Sequence, residues 1–378
     1  MATENLNISK DSTPAATSTT TATATVERKP LYEASTQYRN WRYSPAKLAN
    51  VRASLNTAAV TAIRTKFEVD EPGSSSTVSF LDADEEQLLV KLYISKIPQL
   101  CGHFRFPEEV EATAISYLKR FYLKNTVMDW HPKNVMLTAL FLASKTTNNP
   151  ITLESYTTHI PRTSPSDVLD LEFLVAQSLG FEFAIWHAHR ALWGIWLDLQ
   201  SLLDAPADRP EEIYNTALGR VRSSRLTDVE LIYTPPQIAL ACLSLASPDL
   251  ALQWANSKFA SPTSSPTSTP SPTSSALQTI VEAIKLVITQ FGKPPDIESV
   301  REVDRRLRLC KNPEKVIGSK AYVARKTEEE RRAEEKRNRK AQVARRAMDE
   351  SDPFGTGISG REKGEKLETI DDDDDDDE

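Results

Sequence analysis

Apolar residues recur at intervals of three and four along most of the chain between residues 45 and 310, a spacing that predicts one helix after another. The first predicted helix begins at Ser44-Pro45, because serine caps a helix well and proline fits the first helical position. Its apolar stripe extends to Ile63. Five predicted helices follow, starting near Ala83, Pro107, Pro132, Leu153 and Ser166. The one from Pro132 is apolar nearly all round, which indicates a helix at the centre of a bundle.

A second series of predicted helices repeats part of this plan. These helices cover 188–203, 210–225, 235–246 and 276–291, and another helix is predicted at Ile297–Leu309. The chain has only 11 glycines, which disfavours a turn-rich β fold. The sequence therefore predicts an all-α protein with two bundles, the second carrying a Ser/Pro-rich low-complexity insertion at 261–275.

The two ends of the chain differ from this body. Residues 1–28 are rich in Thr, Ala and Ser and are predicted to be disordered, because they cannot bury enough apolar surface to offset the entropy of ordering. Residues 313–378 form a charged tail that we expect to be largely disordered, although 325–346 also fits a solvated helix held by Glu–Arg pairs. The net charge is −7, and the last eight residues are all acidic. Without those eight the chain would have a net charge of +1, from 46 basic and 45 acidic residues.

The cysteine pattern and the N-terminus place the protein inside a cell. The three cysteines are far apart and have no metal-binding spacing, which favours reduced thiols. The N-terminus is polar, and no run approaches the roughly 20 apolar residues of a membrane span. We expect a soluble intracellular protein.

Candidate chemistry is sparse. His187 and His189 make an H-x-H pair without a third ligand nearby, so a metal site is not expected. Residues 355–360 match G-x-G-x-x-G, but this motif binds phosphates only between a strand and a helix, and here it lies in a polar tail. Three tryptophans are expected to pack inside the fold: Trp186, Trp193 and Trp196. No hydrolase or nucleotide-binding motif is found elsewhere, so an enzyme, a cofactor and a small-molecule ligand are not expected.

Particular segments within the helical plan resemble the cyclin H family. They are ISYLKRFYLKNTVMDWHP at 115–132, LTALFLASK at 137–145, LEFLVAQSLGF at 171–181, TDVELIYTPPQIAL at 227–240 and QYRNWRYSPAKLANVRA at 37–53. The resemblance covers about 32–312. It implies tandem five-helix cyclin boxes with flanking N- and C-terminal helices and disordered tails. The domain boundaries it implies are an N-terminal helix and linker at 29–75, a first box at 76–184 and a second box at 185–312.

The resemblance also implies a function. Members of this family are regulatory subunits of the CDK-activating kinase, which belongs to TFIIH and phosphorylates cell-cycle kinases and the RNA polymerase II C-terminal repeats. The implied partners are a cyclin-dependent kinase catalytic subunit, an assembly factor and the TFIIH core, in the nucleus. In cyclins a Lys ending the third helix and a Glu in the fifth face the kinase, and the matching positions here are Lys145 and Glu172.

Two alternatives remain open at this point. A different transcriptional cyclin would share the fold and differ in its kinase. A TFIIB-like factor would carry an N-terminal zinc ribbon and a basic DNA-binding surface, whereas this N-terminus has no cysteine and the body is near neutral. A nucleic-acid contact through the basic stretch 325–346 is not expected, because Glu residues interleave with its Arg and Lys.

Overall fold

The structure is a computed structural model that describes residues 30–70, 72–202, 210–259 and 272–350. Contacts divide the chain into two compact units, one formed by the chain up to residue 64 with 76–311, the other by 65–75 with the chain from residue 312. Every regular element in the described ranges is a helix, which confirms the all-α prediction. The predicted disorder of 1–28, most of the insertion 261–275, the glycine motif and the acidic end lie outside the described residues.

The first helices of the larger unit are α1 (Thr36–Asn40) and α2 (Pro45–Asp70), and the last residues of α2 belong to the smaller unit. A first bundle then follows, made of α3 (Ala83–Ile94), α4 (Ile97–Phe104), α5 (Glu108–Phe121), α6 (Pro132–Thr146), α7 (Leu153–Thr158) and α8 (Pro165–Ser178). As predicted, α6 is the central helix, buried from residue 135 to 144 and packed against α3, α5 and α8.

Helix α4 was not predicted. Helix α3 ends at Ile94, and Ile97 opens a separate short helix. Pro98 explains the break, because its ring would clash with the carbonyl of residue 94 in a continuous helix and it has no N–H to donate.

The second bundle repeats the plan of the first. It consists of α9 (Ala188–Leu202), α10 (Pro210–Ser224), α11 (Val229–Ile232), α12 (Pro235–Ala246), α13 (Pro248–Phe259) and α14 (Pro272–Phe291). Helix α12 is central and packs against α9, α10, α13 and α14. Helix α13 was not predicted. It lies between the predicted helices 235–246 and 276–291.

Helix α5 lies between the bundles, and the second bundle buries its polar side. Lys119 is buried and its Nζ lies 3.0 Å from the Glu230 carboxylate. Arg225, also buried, reaches back from the second bundle to Glu108 and Glu111, with an N–O distance of 2.7 Å to each. The contact between the repeats is therefore built largely from paired charges.

The N-terminal segment binds both bundles. Trp41 and Leu48 form a small buried cluster with Leu123 of the first bundle and Leu231 of the second. Arg52 on α2 makes a bidentate ion pair with Asp228, at 2.7 and 2.8 Å. Helix α2 thus braces the two repeats in this unit.

Helix α15 (Ile297–Cys310) completes the larger unit and agrees with the prediction for 297–309. It packs on α3 through one buried face of Val300, Val303 and Leu307. Arg306 pairs with Glu85 and donates to the carbonyl of Phe80 at 2.9 Å. Helix α15 is therefore an integral part of the first bundle's surface.

The smaller unit contains a 31-residue helix, α16 (Lys320–Glu350), preceded by a 3-10 turn at Pro313–Lys315. The expectation of a largely disordered tail is thus wrong for 320–350, and the alternative of a solvated helix describes it. Ion pairs at i,i+3 and i,i+4 link successive turns in its first half, and they join Arg325 with Glu329 and Glu328 with Arg331 and Arg332. The hydrogen bonds from Arg331 and Arg332 lower the pKa of Glu328 to about 2.

Candidate partner-binding surface

Lys145 lies in the last turn of α6, at the end of the buried central helix. Helix α6 begins with Pro132 at the first position and with the ring of His131 accepting from the N–H of Lys133 at 3.1 Å. Its last turn places Lys145 at the surface, where a cation also interacts favourably with the helix C-terminus. The Nζ of Lys145 lies 4.7 Å from the centroid of the Phe141 ring.

Glu172 lies on α8 and forms an ion pair with Lys145. Helix α8 begins with a capping box between Ser164 and Asp167, and Thr138 of α6 donates to the Val168 carbonyl at 3.2 Å. These contacts fix the two helices side by side. The structure therefore brings together the two residues that the sequence analysis selected from positions 27 apart.

Next to this pair is a patch of exposed apolar side chains that the sequence analysis missed. Phe173, one residue after Glu172, and Phe181 are both exposed, and their ring centroids are 6.1 Å apart. Leu169, one turn before Phe173, is also exposed. A charged pair beside exposed aromatic rings is typical of a protein-binding surface, where aromatic side chains contribute most of the binding energy.

The backbone just after α8, which carries Phe181, has an uncommon conformation. Gly180 has φ +62° and Phe181 has φ +56°, so two successive residues are left-handed. Glycine adopts this region freely, but a bulky side chain does so at a cost of about 1–3 kcal/mol. Strain of this kind at an exposed aromatic residue makes Phe181 a candidate functional residue.

Buried Tyr117 of α5 forms hydrogen bonds to both parts of the surface, the end of α6 and the segment after α8. Its hydroxyl donates to the Phe183 carbonyl at 2.8 Å and shares a hydrogen bond of 2.9 Å with the hydroxyl of Thr146. The ring is fully buried, and burial raises the pKa of its phenol to about 12, so the hydroxyl keeps its proton at neutral pH. Tyr117 therefore positions both the end of α6, next to Lys145, and the segment that carries Phe181.

The two histidines of the H-x-H pair make contacts within the fold. His187 and His189 stack with ring centroids 5.2 Å apart, and His187 shares a 2.9 Å hydrogen bond with Thr113. Burial lowers the pKa of both rings, that of His189 to about 4, so both are neutral near pH 7. In the described part of the chain no group of three or more His, Cys, Asp or Glu residues could hold a metal ion.

The tryptophan prediction is only partly correct. Trp196 is buried in the core of the second bundle, as expected. Trp186 and Trp193 are each about half exposed.

Among the helices that the structure describes, none has the length and apolar character of a membrane span.

Two protein families match the two bundles. The cyclin N-terminal domain family matches residues 75–184, and a cyclin C-terminal domain family matches 187–289. A probable cyclin-H of Echinococcus multilocularis is 30% identical over 330 residues, which are 79% of this chain and 98% of that one. The cyclin CCL1 of Saccharomyces cerevisiae is 35% identical over 243 residues. That match spans 61% of this chain and only 62% of the yeast protein.

Solved structures give the same result. A chain of the CAK complex of Chaetomium thermophilum, bound to ATP-gamma-S, matches with a TM-score of 0.67 and 26% identity, covering 88% of this chain and 98% of that one. A chain of the yeast TFIIK complex (Kin28/Ccl1/Tfb3) matches with a TM-score of 0.56 and 32% identity, covering 68% of this chain and all of that one. These matches confirm the resemblance and the tandem cyclin boxes, and the chain belongs to the cyclin H family.

Proposed function

We propose that this chain is a non-catalytic regulatory subunit that binds and activates a cyclin-dependent kinase of the CDK-activating type. The observation that carries the proposal is the Lys145–Glu172 pair beside the exposed rings of Phe173 and Phe181. The relatives support it, since one similar chain belongs to a CAK complex and another to a complex of Kin28, Ccl1 and Tfb3. By analogy, an assembly subunit and the TFIIH core are further partners, and the complex acts in the nucleus on cell-cycle kinases and polymerase repeats.

The mechanism follows from what a kinase needs in order to be active. A conserved Glu on its αC helix must pair with the catalytic Lys, and a partner that presses αC inward brings them together. Phe173 and Phe181 supply an apolar surface for such a helix, and full burial of one side chain of this size contributes about 1.5–3 kcal/mol. Lys145 can donate to backbone carbonyls of the kinase, while Glu172 orients it and accepts from N–H groups.

The test is co-expression of the full chain with the catalytic subunit of a CDK-activating kinase. We expect a one-to-one complex by size exclusion and phosphorylation of a polymerase C-terminal repeat peptide that requires both chains. A complex with the kinase of another transcriptional cyclin instead would assign the chain to that class. No complex with either kinase, with both proteins folded, would contradict the proposal.

The roles of Lys145 and Glu172 are tested separately. The double variant Lys145→Ala/Glu172→Ala is expected to weaken kinase binding about tenfold or more, which corresponds to about 1.4 kcal/mol, without change in the circular dichroism spectrum. Removal of another surface pair, with Lys285→Ala/Glu282→Ala on α14, is the matched control and should leave binding unchanged. A double variant that unfolds would show that the pair is structural.

A further inference from the structure

The second half of α16 carries a cluster of basic residues with no acidic residue among them. Residues 336–340 read KRNRK, in which four of five residues are cations, and Arg345 and Arg346 follow. From 336 to 346 the segment has six basic residues and no acidic one. The Glu residues of the helix lie before it, up to Glu335, and the next acidic residues are Asp349 and Glu350.

These side chains are exposed to solvent and make no described polar contact. Every residue from 331 to 346 is exposed to solvent. In the part of the chain that the structure describes, no ion pair or hydrogen bond involves the side chains of Lys336, Arg337, Arg339 or Lys340, in contrast to the paired arginines one turn earlier. The cluster therefore contributes nothing visible to the fold, and its charges are free for a partner.

The arrangement indicates how a partner reads the cluster. At about 100° per residue, the four cations of 336–340 lie within about 160° of the helix circumference, and Arg345 lies on the opposite side. In an extended chain the same residues come one after another, with side chains alternating to both sides.

The segment can also unwind at little cost. Local hydrogen bonds alone hold the helix here, and isolated helical stretches of this length are marginal in water. The cluster lies near the C-terminal end of α16, where helices fray first. An extended conformation is thus accessible without disturbing any described side-chain contact after Glu335.

We propose that residues 336–340 are a nuclear import signal, read as an extended Lys/Arg segment by an import receptor whose groove is lined with carboxylates. Short runs of five to eight residues rich in Lys and Arg are typical of such signals and also of nucleic-acid patches. The position of the run in the C-terminal half of a helix that only local hydrogen bonds hold favours the linear reading. The inference uses the nuclear location of the proposed function, but receptor binding is measured without the kinase.

The experiment titrates purified full-length chain with a purified import receptor at physiological salt, so that the acidic end of the chain is free to compete. Lys336→Ala/Arg337→Ala should weaken receptor binding at least tenfold. Arg345→Ala/Arg346→Ala removes the same charge from the same helix and should weaken it less than about threefold. Equal losses in the two variants, or no receptor binding by the unaltered chain, would overturn the proposal.

Asn338→Pro distinguishes an extended signal from a helical one. Proline breaks a helix but is tolerated in an extended segment, so receptor binding should persist in this variant. Loss of binding on the scale of the Lys336→Ala/Arg337→Ala variant would mean that a helical face is recognised, which contradicts the proposal.

Three further measurements distinguish an import signal from a DNA-binding patch and from a kinase contact. A fluorescent full-length fusion should shift from nucleus to cytoplasm with Lys336→Ala/Arg337→Ala and stay nuclear with the control variant. If that variant instead lowers duplex DNA binding while the receptor fails to bind, the cluster is a phosphate-binding patch and the proposal is wrong. Kinase activation by the variant should equal that of the unaltered chain, and a loss there would assign the cluster to the kinase complex instead.

Discussion

Phe181 combines an exposed aromatic ring with a left-handed backbone, and the two properties can be separated by mutation. Phe181→Gly removes the ring and relieves the backbone, while glycine adds entropy to the unfolded state that partly offsets the gain. We expect the free energy of unfolding to stay unchanged or rise by up to about 1 kcal/mol, and kinase affinity to fall about tenfold or more.

Phe291 provides the matched control, because it has the same side chain and the same 56% exposure on α14 of the second bundle. Phe291→Ala should leave kinase affinity within about threefold, as expected for a residue outside the binding surface. Urea denaturation and a binding titration give the two quantities. A Phe181→Gly variant that binds the kinase normally would remove this residue from the proposed surface.

Glu86 is a buried carboxylate that connects three parts of the larger unit. It accepts hydrogen bonds from the Asn56 side chain at 2.6 Å, the Thr126 hydroxyl at 2.8 Å and the Val127 N–H at 2.8 Å. Glu86→Ala leaves these donors without their acceptor, so we expect a loss of about 3 kcal/mol in urea unfolding at neutral pH. The exposed Glu298→Ala on α15 should cost less than about 1 kcal/mol.

The pH dependence of that loss has a definite sign. Burial raises the pKa of Glu86 above its ordinary value of 4.5, although three hydrogen bonds oppose the shift. The folded state thus holds the proton more tightly than the unfolded state. The corresponding stability is fully present below pH 4.5 and is lost as the pH rises through the raised value. The cost of Glu86→Ala should therefore be larger near pH 5 than near pH 7, and an equal cost would contradict the raised pKa.

At the scale of elements, the contact between α5 and the second bundle depends on Arg225. Burial raises the pKa of Glu111, and the charge of Arg225 opposes this rise. Arg225→Met would leave Glu111 and Glu108 without their buried cation, at an expected cost of about 3–5 kcal/mol. Thermal unfolding of the isolated chain measures it.

Arg222 is the natural control, since it pairs with the same Glu108 from a side chain that is 54% exposed, against 6% for Arg225. Arg222→Met should cost less than about 1 kcal/mol, because exposed pairs contribute little. If the two variants proved equally destabilising, the depth of burial would not decide the strength of this contact.

The helices differ in how well the sequence pattern predicts them. The central position of α6 was predictable because this helix is apolar nearly all round and begins at a proline. The inter-bundle role of α5 was not, because Glu111 and Lys119 have the residue types of a solvent-exposed side, and only the second bundle buries them. The signal that could have found helix α13 is Ser247-Pro248, the same Ser-Pro start that was used for the helix from Pro45.

The candidate surface was predictable only in part, for a related reason. Lys145 and Glu172 were selected through the family resemblance, and the ion pair between them needed the packing of α6 against α8. The exposure of Phe173 and Phe181 was not predictable, because an apolar residue at helical spacing is far more often buried. The sequence signal that could have drawn attention to this region is the Leu-Gly-Phe at 179–181, where glycine ends the helix and a bulky residue follows.

For the whole molecule, the two units divide the proposed roles between kinase binding and import. A chain that ends at Thr327 keeps the described packing of α16 within its own unit, including buried Ala321 and the hydrogen bond from Arg325 to the Glu314 carbonyl at 3.3 Å. It loses only exposed turns and the tail. We expect kinase binding and activation within about twofold of the full-length chain, measured by titration and by repeat-peptide phosphorylation.

The same truncation should abolish binding to the import receptor, because residues 336–340 are gone. For kinase binding, the Lys336→Ala/Arg337→Ala chain is the control, since it changes two charges and keeps the helix. If the truncated chain lost the kinase while this variant kept it, then another part of 328–378 would belong to the kinase interface. If both lost the kinase, the basic cluster itself would contact it, and the division of roles between the units would be wrong.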